Sequence, residues 1–239
     1  MVEKSRLIPT GRRAADLPAR LADVLRVVYL VFNEGYTATS GDDWARPALC
    51  EDALRLGRVL AALLPDEPEV HGLVSLMEVQ ASRLAARVGP DGEPVLLMDQ
   101  DRSRWDGLLV RRGLAALDRG AALAGGAPGP YLLQAAIATC HARARASADT
   151  DWAEIAALYA ALYAIHPSPV VELNRAVAVS FAEGPAAGLA LADALAESGT
   201  LDGYHLLDAV RGDLLDRLGR ADEARAAFEA AAALTRNER

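Results

Sequence analysis

The densest run of chemistry-bearing side chains is Asp99-Gln100-Asp101-Arg102-Ser103-Arg104-Trp105-Asp106. Two acids one residue apart could serve as general acid and base, as in a hydrolase, or could bind a divalent cation. The run supplies no partner to orient a base and no metal-ligand pattern, whereas an Asp or Ser at a helix entry caps free N–H groups. The expectation is therefore capping and domain-fixing hydrogen bonds from Gln100 and Asp101, with Arg102 and Arg104 paired to acidic neighbours and Trp105 packed inward. His71, His141, His166 and His205 are far apart and offer no i, i+4 ligand face. Cys50 and Cys140 form no CxxC or Cys/His cluster and read as buried thiols. Phosphate-loop, dinucleotide, nucleophile-elbow and HExxH patterns do not occur. No catalytic residue, metal or cofactor is expected.

A second polar set is scattered through alanine- and leucine-rich surroundings. It comprises Asn33, Glu34 and Tyr36 after an apolar helix, Arg46 and Glu51 on the next, Asp151-Trp152, and Asn174-Arg175. Buried arginines and asparagines need partners. These residues are expected to form a network that fixes the packing of the front helices on a repeat array. The alternative is a small-molecule-sensing domain, with Asn33, Glu34, Tyr36, Gln100, Asp101, Arg102 and Trp105 lining a pocket between the front helices and the repeats.

The elements that must position these residues are helices. Fifty alanines against 5% aromatics in 239 residues favour closely packed helices over sheets. Residues 1 to 15 show no apolar periodicity, contain Pro9 and Gly11, and lead into a basic-biased stretch with Arg12, Arg13 and Arg20, so they read as a linker. Asp16 is a candidate N-cap for a helix carrying Leu17, Leu21, Val24, Val28 and Val31 to about Gly35. Helices follow over about 45–64 and 68–88, then a hairpin or buried loop over 89–100, then a helix over about 103–123. The GGAPGP run at 125–130 marks a boundary, giving a subdomain over 16–128 and a second over 129–239.

Beyond Pro130, helices are expected near 131–147, 151–165, 169–182, 185–198, 202–217 and 221–236, as three pairs. In the last pair Gly212, Gly219, Ala224, Phe228 and Ala231 have the spacing of small and aromatic positions in a tetratricopeptide repeat. The fold class is all-α, antiparallel hairpins stacked as a tetratricopeptide-like array behind a helical subdomain. Such stacking creates grooves that hold partners. A net charge of -8 counts against gripping DNA over a broad face. No run approaches the roughly 20 apolar residues of a membrane span, and the first residues lack a secretion signal, so a cytoplasmic location is expected.

The strings DLPARLADVLRVVYLVFNEGYTA, QDRSRWD, GPYLLQAAIA, TDWAEIAALY, PSPVVELNRAVAV and LLDRLGRADEA carry a resemblance over residues 16 to 239. They resemble the C-terminal tetratricopeptide-like extension of a group of bacterial extracytoplasmic-function RNA polymerase sigma factors, of the sigma-70 family. KSRLIPTGRR resembles the link after the last DNA-binding helix of that group. The resemblance implies a role in controlling transcription initiation without an enzymatic reaction. It implies as partners the sigma regions of the same or another chain, core RNA polymerase or a signalling protein. DNA would be reached only through sigma regions that precede Asp16 and lie outside this sequence, and no membrane is involved.

Overall fold

The computed structural model describes residues 17–36, 46–90 and 92–236; the basic linker, the Asp16 cap and Asp91 lie outside them. The described residues form ten α-helices and no strand. The helices are α1 (Leu17–Tyr36), α2 (Pro47–Leu63), α3 (Pro68–Ala81), α4 (Gly107–Ala124), α5 (Pro130–Arg143), α6 (Trp152–Ile165), α7 (Pro169–Ala182), α8 (Pro185–Ser198), α9 (His205–Arg217) and α10 (Ala221–Arg236). Proline opens α2, α3, α5, α7 and α8, where its fixed φ suits the first turn and its missing N–H costs nothing. Asp106 starts α4 by accepting from Leu108 N and Leu109 N at 2.8 and 3.1 Å, and Asp151 starts α6 by accepting from Glu154 N at 2.9 Å.

Each helix packs on its sequence neighbour, so the core rolls along the chain from α1 to α10. Leu25, Phe32, Leu54, Leu73 and Met77 fill the front cluster, and Leu76, Leu117 and Leu132 join α3, α4 and α5. Leu133, Ile137, Ile155 and Leu162 continue it through α6, and Leu173, Leu189, Leu207 and Leu214 carry it to the end. The Gly125–Pro130 break separates α4 from α5, yet α5 packs across it on α3 more extensively than on α6. Helix α3 is the hub, buried at every residue from Val70 to Val79.

The last pair has tetratricopeptide-like packing. A Cβ at Gly212 would come within 2.7 Å of the Phe228 ring, so this glycine lets the exposed ring lie against α9. Gly219 turns the chain between them at φ +74. Ala224 and Ala231 are buried against α9.

Some boundaries differ from the sequence expectation. The third helix stops at Ala81 rather than near Val88, because the Ser82 carbonyl accepts from Asp106 N at 2.9 Å and its hydroxyl donates to Val79 O at 2.6 Å. Short 3-10 turns over Leu84–Ala86 and Arg102–Arg104 replace the end of that helix and the start of the next. The described residues of the 89–100 segment are hairpin-like, with one Val88–Pro94 bridge and Gly89 N donating to Glu93 O at 2.9 Å. Helix α5 ends at Arg143 and α9 begins at His205.

Candidate functional site

Part of the expected polar set gathers where the turn before α4 meets the end of α5 and the start of α6. Asp101 accepts from Ser103 N and Oγ at 2.9 and 2.6 Å, which closes the 3-10 turn and holds its carboxyl below the usual range. That turn aims Arg102 at the C-terminus of α5, where it donates to the His141 carbonyl, to Ala144 O at 2.8 Å and to Thr150 Oγ1 at 3.3 Å. A guanidinium there occupies the negative end of the helix and satisfies carbonyls that have no helical partner. Trp105, buried beside it, has its ring 5.1 Å from the Arg102 guanidinium and 5.8 Å from that of Arg83. Gln100 donates to Val95 O at 3.2 Å.

From the other side, Trp152 stacks on Phe181 at 4.3 Å and meets the His141 ring edge-on at 5.2 Å. Burial, with Arg83 and Arg102 nearby, pushes the His141 imidazole down to about 4, so it is neutral at pH 7. Arg102, Trp105, His141 and Trp152 thus form one connected group. Asn33, Glu34 and Tyr36 lie apart, at the end of α1. There Glu34 pairs with Arg46 at 3.3 Å, Asn33 hydrogen-bonds Tyr29, and Arg87 lies 3.8 Å from the Tyr36 ring centre while donating to the Tyr36 carbonyl. Glu51 is exposed on α2, and Arg175 pairs with Glu172 at 2.8 Å within α7.

A cleft of about 420 Å³ opens between α3 and α5 on one side and α6 and α7 on the other. Its polar walls include Gln80, Arg83, Gln134, His141, His166 and Ser168, with Tyr159 and Asn174. The pocket expected from the sequence is therefore built from other residues. Asn33, Glu34, Tyr36, Gln100, Asp101, Arg102 and Trp105 do not line it, because the first three end α1 and Arg102 is committed to the α5 terminus. Gln80 lies one turn after Leu76 on α3 and Arg83 just past the end of that helix, where no periodic signal marks it.

Sequence reasoning also missed Glu69. Its carboxylate accepts from Tyr131 N and Leu132 N at 2.8 and 3.2 Å and so caps α5 from α3, while burial raises its pKa. It stands at the edge of a second groove, about 620 Å³, walled by Leu21, Val24, Leu25, Leu60, Leu64 and Tyr131.

Asp99 and Asp101 are both exposed. Among the described residues no three His, Cys, Asp or Glu side chains come together as a metal site, and no helix is long and apolar enough to cross a membrane. Burial pushes the Cys50 and Cys140 thiols up to about 11 and about 12, away from thiolate reactivity.

The molecule is an all-helical, repeat-like array with a polar cleft at its middle. Residues 20–121 match a family of unknown function, DUF6596. The chain is also similar to an uncharacterized protein of Rhizobium meliloti (strain 1021), 50% identical over 224 residues that cover 94% of this chain and 52% of the relative. The chain spans about half the length of that curated relative. No solved structure matches.

Proposed function

We propose that this chain is a regulatory protein-interaction domain of an extracytoplasmic-function sigma factor, acting in transcription initiation in the cytoplasm and performing no reaction of its own. The observation that carries the reading is an apolar face left in water. Val24, Val27 and Leu30 on α1 and Leu56, Val59 and Leu63 on α2 are all exposed, beside the groove walled by Leu21 and Leu60. Faces of this kind are covered by partners. The resemblance of residues 16 to 239 to sigma-factor extensions names the partner as sigma regions, docked alone or on core RNA polymerase. About half of the Rhizobium meliloti relative lies outside the matched region, which leaves room for such regions in a protein of that size. Mechanistically, docking that is favoured in one state of the sigma regions by a few kcal/mol is enough to switch promoter engagement.

The test is a titration of this chain against purified sigma regions and core polymerase. Val27→Asp with Leu30→Asp, on the water-facing side of α1, should weaken binding at least about tenfold while leaving helicity unchanged, since two charges replace apolar contacts. Transcription from the cognate promoter should also differ when residues 16–239 are removed from a polypeptide that joins them to sigma regions. Absence of binding, or equal binding by the double variant, removes the reading.

A further inference from the structure

The central cleft holds a positive charge that none of its lining side chains neutralises. Arg83 follows the end of α3, is only 9% exposed, and lines the cleft. Its Nε has no hydrogen-bond partner, and its guanidinium lies 5.8 Å from the centre of the Trp105 ring. The other arginines of this region are committed: Arg58 pairs with Glu78 at 2.8 Å, Arg175 with Glu172, and Arg102 with the end of α5. A guanidinium withdrawn from water without a carboxylate is costly, and its geometry is that of a carboxylate or phosphate clamp.

Three further observations point into the same space. The His141 Nδ1 atom, in the cleft wall, is buried without a partner and donates to an anion in its Nδ1–H tautomer, while the Gln80 Oε1 atom is an orphaned acceptor that suits a hydroxyl or N–H elsewhere on the bound molecule. His141 is only 7% exposed. The first turn of α7 also lines the cleft through Ser168, Val170 and Val171, and Ser168 makes no side-chain cap bond there. A helix start of this length brings a partial positive charge. Among the described residues no acidic side chain lines this cleft, in a chain whose net charge is -8. Its volume of about 420 Å³ is that of a small-metabolite site.

We propose that this cleft binds a small anionic metabolite through a carboxylate or phosphate group held by the Arg83 guanidinium, with His141 and the first turn of α7 completing the anion site and Gln80 accepting from a donor group elsewhere on the metabolite. This is independent of the apolar docking face on α1 and α2, and it stands if no sigma region binds there.

The experiment is thermal unfolding of the whole chain in succinate, in inorganic phosphate, in potassium chloride at equal ionic strength, and in the neutral diamide succinamide. At ten times its Kd the recognised anion should raise Tm by roughly 3–6 °C over chloride. Succinate and phosphate tell the carboxylate from the phosphate form of the site, and succinamide should do nothing. Arg83→Met should abolish the rise, and Arg83→Lys should keep part of it. A Tm that neither anion raises over chloride, a rise that succinamide reproduces, or an undiminished rise in Arg83→Met overturns the proposal. If Arg83→Met fails to fold, the concentration dependence in the wild type decides the matter, because site binding saturates whereas general salting-out rises steadily with anion concentration, and a rise that never saturates overturns the proposal.

Discussion

The middle of the molecule and its C-terminal end are held together differently. Among the described residues, eight of the nine buried polar or charged side chains lie between His71 and Thr150, and the ninth is Ser180 on α7. From α8 onward the buried residues are leucine, alanine and glycine. Burial of apolar surface is non-directional and tolerates small shifts, whereas a buried guanidinium or carboxylate needs a particular acceptor or donor. The C-terminal pairs therefore tolerate small shifts, and the middle is where substitution and pH bear on packing.

The largest expected effect tests the cost of that polar middle. Glu78 on α3 is 1% exposed and is held by Arg58 at 2.8 Å. Arg58→Ala leaves a carboxylate in the core and should cost about 3 kcal/mol in denaturant unfolding at pH 7, at the low end for a buried pair because Arg58 is half-exposed. Adding Glu78→Gln removes the uncompensated charge and should recover most of the loss. A loss of a few tenths of a kcal/mol for Arg58→Ala would place Glu78 in an environment as forgiving as the surface.

A similar effect should appear on acidification. His141 is pushed down to about 4 from an ordinary 6.5, so between these values the unfolded chain takes up a proton that the native state refuses. Its contribution is complete above pH 6.5 and falls as the pH drops towards 4, by about 3 kcal/mol in total. The difference in stability between the wild type and His141→Gln should shrink or reverse over that window. Glu69 works in the opposite sense. Its raised pKa means that stability from burying the neutral acid is present below its unfolded value and is lost as pH rises through the folded one. Glu69→Gln should remove that second slope without touching the first.

The same contrast explains what the amino-acid sequence displayed. The ranges 169–182 and 185–198 are legible because Pro169 and Pro185 open their helices, and Gly199 closes the second in the left-handed conformation. Gly212 opposite Phe228 is legible because a small residue facing an aromatic one at that spacing is the pattern of the repeat itself. The stop at Ala81 is not, since it depends on Asp106 reaching back to the Ser82 carbonyl. Asp101, Arg102 and Trp105 stand out by residue type, but the partner of Arg102 is the end of a helix some 40 residues downstream, which only the packing of α5 on α3 creates. Arg83 and His141 were obscured for a related reason. A helix apolar on every side gives no periodic signal to show which of its polar neighbours faces a cleft.

Two identical substitutions give the smallest effects and the sharpest comparison. At Gly72 a new Cβ would lie 2.6 Å from Leu132 N and 2.9 Å from the Tyr131 carbonyl carbon, both backbone atoms of the helix start that Glu69 caps. Relief requires moving α5 off α3, so Gly72→Ala should cost about 2 kcal/mol even after the roughly 1 kcal/mol that alanine gains over glycine in a helix. At Gly212 the Cβ would lie 2.7 Å from the Phe228 ring, and that ring is 45% exposed and can swing outward. There the propensity gain should offset about 1 kcal/mol of displaced ring, leaving the midpoint of unfolding nearly unchanged. Equal losses at the two sites would mean that the C-terminal pair is packed as unyieldingly as the middle. The distinction between tolerant scaffold and constrained centre would then fail.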